Sequence, residues 1–350
     1  MSTEAAGAPV SGVADMHPAS FALVMATGIV SIACQLLGRP AIAAVLLWLN
    51  GAFYGALWVL TVYRAVRFRD RLLADVAHHG RAVGFFTTVA ATCVLGSQLL
   101  VIRGAWTMAA ALWGFGIVLW AIVTYTVFTV LTVKREKPPL AEGINGGWLV
   151  AVVAAQSVCV LGAQLAAGFG AAAPNVLLFC LSMWLGGGML YIWIISLIFY
   201  RYTFFVMSPS DLAPPYWINM GAVAISTLAG TMLIAATPSW SVLAELLPFL
   251  KGLTLLFWAT ATWWIPMLVG LGVWRHVYRR FPLRYDPLYW GAVFPLGMYA
   301  VCTFRLAQAI GVPVLLPVAR VFLYLALAAW TLALIGLVRR VAGLSSRDAT

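Results

Sequence analysis

Acidic side chains are scarce in this chain. Asp and Glu number 10 in 350 residues, against 21 Lys and Arg. All charged residues together make up 9%, where a soluble domain carries about 25%. That balance excludes an ordinary soluble fold. The acids also fall outside the long apolar runs, apart from Glu245 at the start of one. A membrane-embedded carboxylate pair for acid–base chemistry is therefore missing. Histidine is scarcer still: His17, His78, His79 and His276 lie outside or at the edges of the runs, whereas Cys34, Cys93, Cys159, Cys180 and Cys302 lie inside them. Cys and His never come together at zinc-ligand spacing, and the thiols read as small buried hydrophobes. No Ser–His arrangement stands out, so the expectation is a protein that is not an enzyme and uses no metal or cofactor. Residues 1–18 hold no Lys or Arg and no short apolar core, so no cleavable signal is read there.

What the chain has in abundance is apolar sequence, 63% hydrophobic by residue. Long runs recur from end to end, the pattern of an all-α integral membrane protein. Ten spans are read, at about 19–37, 41–63, 82–102, 106–131, 147–168, 175–200, 216–236, 246–273, 287–310 and 314–338. This gives a short N-terminal segment 1–18, one ten-helix transport domain 19–338 and a tail 339–350.

The cations set the orientation. Those in the connections after spans two, four, six and eight, and in the tail, run from Arg64, Arg67, Arg69, Arg71 and Arg81 through to Arg339, Arg340 and Arg347. The opposite connections hold only Arg39 and Arg103. By the positive-inside rule both termini are expected in the cytoplasm. The basic excess is thus a topology signal, and the competing reading of a nucleic-acid surface is the weaker one. Breaks such as Gly38–Pro40 and Arg103–Gly104 are short, which pairs consecutive spans as five helical hairpins. A trace of duplication survives: Cys93–Leu99 reads CVLGSQL and Cys159–Leu165 reads CVLGAQL.

Span nine, residues 287–310, carries three unusual features. Phe294 stands beside Pro295, which cannot complete the helical ladder, and Gly291 and Gly297 flank the pair. Arg305 is a permanent cation in a segment expected to lie in lipid, where charge is expensive. Eleven residues are close to three helical turns, so Phe294 and Arg305 share a face about 16 Å apart. A ring and a cation on one face suggest a path with a constriction and an attractor for negative charge. Lys251 and Arg320 are the other cations inside spans. Each is read either as an anion attractor in an outer vestibule or as a structural group, Lys251 snorkelling to the interface and Arg320 bonding carbonyls.

The odd-numbered spans carry small and polar residues at mid-length, among them Gly28, Ser31, Gly96, Gln98, Gly162, Gln164, Gly230 and Gly297. Two readings stand. In one, five equivalent helices bend around a central pore and these residues line it. In the other, small residues let helices pack closely and hydroxyls bond back to their own carbonyls. Even-numbered spans are less polar and are expected to form an outer layer.

The stretches MHPASFALVMATGIVSIA (16–33), GGGMLYIWIISLIFYRY (186–202), PPYWINMGAVAIS (214–226), WATATWWIPMLV (258–269) and YWGAVFPLGMYA (289–300) together resemble the tellurite-resistance/C4-dicarboxylate transporter family. That family holds TehA-like proteins, fungal malate and sulfite transporters and plant slow anion channels. The resemblance implies five hairpins around a pore lined by odd-numbered helices kinked near their middles. It also implies a phenylalanine gate on the ninth helix, here Phe294 followed by Pro295. A homotrimer in the bacterial inner membrane, small inorganic or organic anions as substrates, and no nucleic-acid partner follow from the same likeness. The expected function is passage of chloride- or nitrate-like anions, sulfite or C4-dicarboxylates as a channel or uniporter. The alternative is a proton-coupled dicarboxylate or sulfite exporter.

Overall fold

The computed structural model describes residues 12–343, so residues 1–11 of the expected N-terminal segment and 344–350 of the tail, Arg347 included, lie outside the described residues. Among the described residues there is no strand. The described residues form ten long helices: α1 (Ala22–Leu36), α2 (Pro40–Arg67), α3 (Phe86–Arg103), α4 (Trp106–Val133), α5 (Val150–Leu165), α6 (Ala173–Phe204), α7 (Ile218–Ala235), α8 (Leu247–Val273), α9 (Trp290–Ile310) and α10 (Leu316–Val341). By length and apolarity, 9 described segments are able to cross a bilayer. One of them, Gly146–Phe204, is 59 residues long. It contains both α5 and α6, separated by a 3-10 stretch at Ala166–Ala172 in which Gly170 takes φ 53°. Only glycine adopts that backbone cheaply, and it turns the chain between the two helices.

The helices form two layers. In the most apolar stretch of Pro18–Leu36, 78% of residues are buried, against 22% for Pro40–Arg67. The same contrast separates α3 from α4, α7 from α8 and α9 from α10. Helices apolar all round suit an interior, and those with an exposed apolar face suit lipid. The inner helices close a ring, α1 on α3, α3 on α5, α5 on α7, α7 on α9, and α9 back on α1. Each also packs on its own even-numbered partner, so the five hairpins expected from the short breaks are present. The basic stretch 63–81 is more ordered than a polar connection suggests, because it holds the short helix Arg69–Val76.

A set of hydrogen bonds runs across the layers with five-fold repetition. Each even helix presents an aromatic donor or hydroxyl to the inner helix of the next hairpin. Trp113 donates to Val158 O at 2.9 Å, Trp184 to Ser226 O at 2.8 Å, Trp258 to Thr303 Oγ1 at 3.0 Å and Trp330 to Thr27 Oγ1 at 3.0 Å. Tyr54 and Thr92 share the equivalent bond at 2.9 Å. A buried indole N–H or phenol needs a partner, and in hydrocarbon the inner helix is the partner at hand. These bonds fix the rotation of every inner helix and extend the trace of duplication to all five hairpins.

An ionic cluster ties down the chain ahead of α1. Asp75, from the short helix, accepts from Arg64 at 2.7 Å and from Arg81 at 2.5 Å. Arg64, 2% exposed, also donates to Ala14 O at 3.0 Å. Burial alone raises the Asp75 carboxyl pKa, but bonds from Arg81 and Arg64 outweigh it and hold the group below the usual range.

Candidate permeation path

All five inner helices run in the same direction, because each is the first member of a hairpin. Each begins with a short helical turn: Pro18–Phe21, Val83–Phe85, Gly146–Leu149, Pro214–Trp217 and Pro287–Tyr289. The side chains of His17, Asn145 and Asp286 cap three of these turns, accepting from Ala19, Gly147 and Leu288 N–H. The turns converge on a cavity of about 100 Å³, the N-side cavity, which has wall residues from all five inner helices or their lead-in turns. Helix N-termini carry partial positive charge, so their convergence makes this end of the ring favourable to anions.

Phe294 forms part of the N-side wall and is 1% exposed. One turn further along α9, Met298 belongs instead to a second cavity, the C-side cavity, of about 20 Å³. The boundary between the two therefore falls between Phe294 and Met298 along α9. A volume of about 20 Å³ holds a water or two and no hydrated anion. Pro295 leans on α7, where a Cβ added to Gly221 would sit 2.7 Å from Pro295 Cγ.

Rotational register explains the C-side wall. The inner residues that receive the cross-layer bonds are Thr27, Thr92, Val158, Ser226 and Thr303. Two positions on from each stand Ile29, Val94, Val160, Leu228 and Arg305, and all five line the C-side cavity. Arg305 thus occupies a layer that the other four helices fill with aliphatic side chains. It is half-buried, and its Nη1 reaches Gln308 Oε1 at a long 3.4 Å. Ser97, Ser157 and Gln164 add polar atoms to the same wall. Gln164 Nε2 lies 3.6 Å from Met232 Sδ, and its Oε1 is buried without a partner.

The remaining residues singled out from sequence sit elsewhere. Arg320 is exposed on α10 and Lys251 is partly buried on α8, and neither is on the wall of either cavity. Gly28 lies against Val94 and Asn50, Gly96 against Leu161 and Leu112, and Gly162 against Cys180 and Trp113. Gly230 lies against Thr254 and Trp184, and Gly297 against Ile29 and Val30. Ser31 donates to Ala43 O on α2, and Gln98 accepts from Asn50. These positions are close contacts between helices, mostly between the two layers, and of the eight only Gln164 is on the wall of either cavity. The reason is steric: a helix wedged between four neighbours needs its small residues where backbones approach. Hydroxyls follow suit, with Thr92, Ser157, Ser226 and Thr227 bonding carbonyls four residues back.

His17 is the site residue that sequence reading passed over, since it stands outside the first apolar run. Its ring lines the N-side cavity, and Nδ1 accepts from Ala19 N–H at 3.0 Å. The neutral form therefore carries its proton on Nε2. Burial, helped by Arg81, pushes the His17 pKa down to about 4. The signal available in sequence was its place as N-cap directly before Pro18. On the two cavity walls the ionisable side chains are His17, Tyr216, Cys93 and Arg305, with no carboxylate among them.

Comparison with known proteins agrees with this architecture. The family model described as SLAC1, voltage-dependent anion channel, matches residues 15–338. An uncharacterised membrane protein of Mycobacterium tuberculosis is 38% identical over 161 residues, covering 45% of this chain and 80% of its own length. Two uncharacterised transporters of Methanocaldococcus jannaschii are similar over most of the chain. One is 24% identical over 289 residues, with 81% of each chain covered, and the other 21% identical over 297 residues, covering 83% of this chain and 84% of its own.

Proposed function

Given that the chain belongs to the SLAC1 family of voltage-dependent anion channels, we propose that it passes small anions through the axis of the inner ring, gated by Phe294. A membrane transporter of anions is what the family supports in general. The observation that carries the finer reading is the pair of cavities that divide along α9 between Phe294, on the N-side wall, and Met298, with Arg305 on the C-side wall. Five helix N-termini attract the anion at one end and Arg305 at the other. Weak dipoles and hydroxyls between them would let it leave again, as conduction requires. In this reading the single transport domain is 19–338, its ten helices all cross the bacterial inner membrane, and both termini are cytoplasmic. The N-side cavity then opens to the cytoplasm, and the subunits assemble as a trimer with a path in each. Chloride- or nitrate-like anions, sulfite and C4-dicarboxylates are the substrate class.

The test is anion flux in proteoliposomes. Phe294→Ala is expected to raise it at least several-fold, because a buried ring is removed from the closed point. Normal yield with unchanged flux would sink the gate. His17 favours a second reading, a proton-coupled exporter, since its imidazole is on the N-side cavity wall. An imposed pH gradient that accumulates anion against its own gradient would select that reading.

A further inference from the structure

The two most basic connections of this protein are built differently. In the one after α2, Arg64, Arg71 and Arg81 are spent on Asp75 and Asp15. In the one after α8, four arginines, Arg275, Arg279, Arg280 and Arg284, stand within eleven residues of its end, and among the described residues none of them has an ion pair. Arg279, Arg280 and Arg284 are exposed. Interleaved with them are apolar side chains that also face outward: Val277 is 70% exposed, Tyr278 74% and Leu283 76%. Cations without a carboxylate partner, Arg279 lying over the Trp274 and Tyr278 rings, alternate with exposed apolar groups at the end of a lipid-facing helix and match the boundary between acyl chains and phosphates.

Two clefts run from this segment along α8. One, of about 170 Å³, is walled by Arg275, His276, Leu212 and Leu271. The other, of about 240 Å³, is walled by Trp274 and the same two leucines. Arg275 donates to Leu212 O and lies 4.4 Å from the Phe281 ring, yet its Nε is buried with no partner. A buried guanidinium N–H without an acceptor is costly, and an anionic oxygen in the cleft would satisfy it.

We propose that residues 274–284 and the adjoining clefts hold one anionic phospholipid. Its phosphate meets Arg279, Arg280 and Arg284 with the free Nε of Arg275. An acyl chain runs down the leucine-walled clefts beside α8. The charge of the patch selects an anionic headgroup, and the apolar clefts select a lipid over a soluble phosphate. The site adjoins the candidate path, because Ala213 and Tyr216 belong both to the first cleft and to the N-side cavity. Occupancy would therefore stiffen the turn that carries Pro214–Trp217, although binding itself is independent of any conduction reading.

Native mass spectrometry of the purified protein, titrated with phosphatidylglycerol or phosphatidylcholine of identical chains, tests this. A marked preference for phosphatidylglycerol is expected. Each arginine near a phosphate is worth about a five-fold change in affinity. The triple variant Arg279→Gln, Arg280→Gln, Arg284→Gln should thus lose most of that preference. A control removing equal charge elsewhere, Arg67→Gln, Arg69→Gln, Arg135→Gln, should keep it. Equal loss in both variants, or no preference in the parent, would overturn the site. Glycerol phosphate is the soluble arm: if it displaces phosphatidylglycerol at equal concentration, the acyl contribution is refuted and the site takes free phosphate esters.

Discussion

Trp258 donates its indole N–H to Thr303 Oγ1 at 3.0 Å, two residues before Arg305. The outer helix therefore holds the rotation that turns a guanidinium toward the axis. Arg305→Gln is expected to reduce anion-over-cation preference, read as a shift of reversal potential toward zero under a salt gradient. Trp258→Phe keeps the ring but removes the donor. It should shift the reversal potential in the same direction by a smaller amount and cost about 1 kcal/mol of stability. An unaltered potential in Arg305→Gln at normal yield would remove Arg305 from the path.

The glycines divide by what surrounds them. A Cβ at Gly230 would lie 2.0 Å from Thr254 Oγ1, whereas one at Gly186 meets nothing within 4 Å. Gly230→Ala is expected to lower stability by about 1–3 kcal/mol through overpacking. Gly186→Ala should be neutral or raise it, by up to about 1 kcal/mol of helix propensity. Thermal unfolding in detergent checks both. Ion preference should stay constant in either variant, and a change in Gly230→Ala would return that residue to the path.

Asp75 sits between two arginines, one of them almost fully buried. Asp75→Asn removes the carboxylate and strands Arg64, at a cost of about 3–5 kcal/mol. Replacing the pair together, Arg64→Met with Asp75→Leu, should cost less than Asp75→Asn alone, as measured by unfolding midpoints. The reverse order would show that the ion pair itself stabilises the fold. Because the Asp75 pKa is depressed by folding, its contribution is present above the ordinary aspartate range and is lost as pH falls through the folded value.

His17 titrates with the opposite sign of consequence from a salt-bridged histidine. Its folded pKa is about 4 against an unfolded value near 6.5. Between those limits the unfolded chain binds the extra proton, so stability falls as pH is lowered from about 6.5 toward 4. The loss is on the order of 2 kcal/mol. His17→Gln should flatten that part of the stability profile. A profile of unchanged slope in the variant would show that other groups titrate there. Flux carried by the neutral imidazole should be level from about pH 6.5 upward.

The five hairpins were readable because apolar runs and short breaks are one-dimensional signals. The uneven placement of arginines gives an expected orientation in the bilayer by the positive-inside rule. What could not be read was rotation. Inner helices are apolar on every side, so their patterns mark no preferred face, and polarity misleads when it serves packing. The repeated glutamines illustrate this. Gln98 and Gln164 are the sixth residues of nearly identical heptapeptides, yet Gln98 meets Asn50 while Gln164 borders the C-side cavity. The neighbour that decides between these outcomes is on another helix, far away in sequence. The three-turn spacing of Phe294 and Arg305 spans the proline, and the two residues line the N-side and C-side cavities respectively. The place of His17 on the N-side wall is not legible in sequence, because it depends on how Arg64 anchors the chain before α1 at Ala14.

The cross-layer bonds have a consequence for how the chain can be cut. Trp330 on the last helix reaches Thr27 on the first, so the five repeats form a cycle with no privileged beginning. Helices α1 and α10 meet, and the described ends leave the bundle on the same side. A circularly permuted gene, with the old termini joined by a flexible linker and new ones opened at 134–139, breaks none of the five bonds. The order in which a ribosome issues the repeats is then separable from the ring they close.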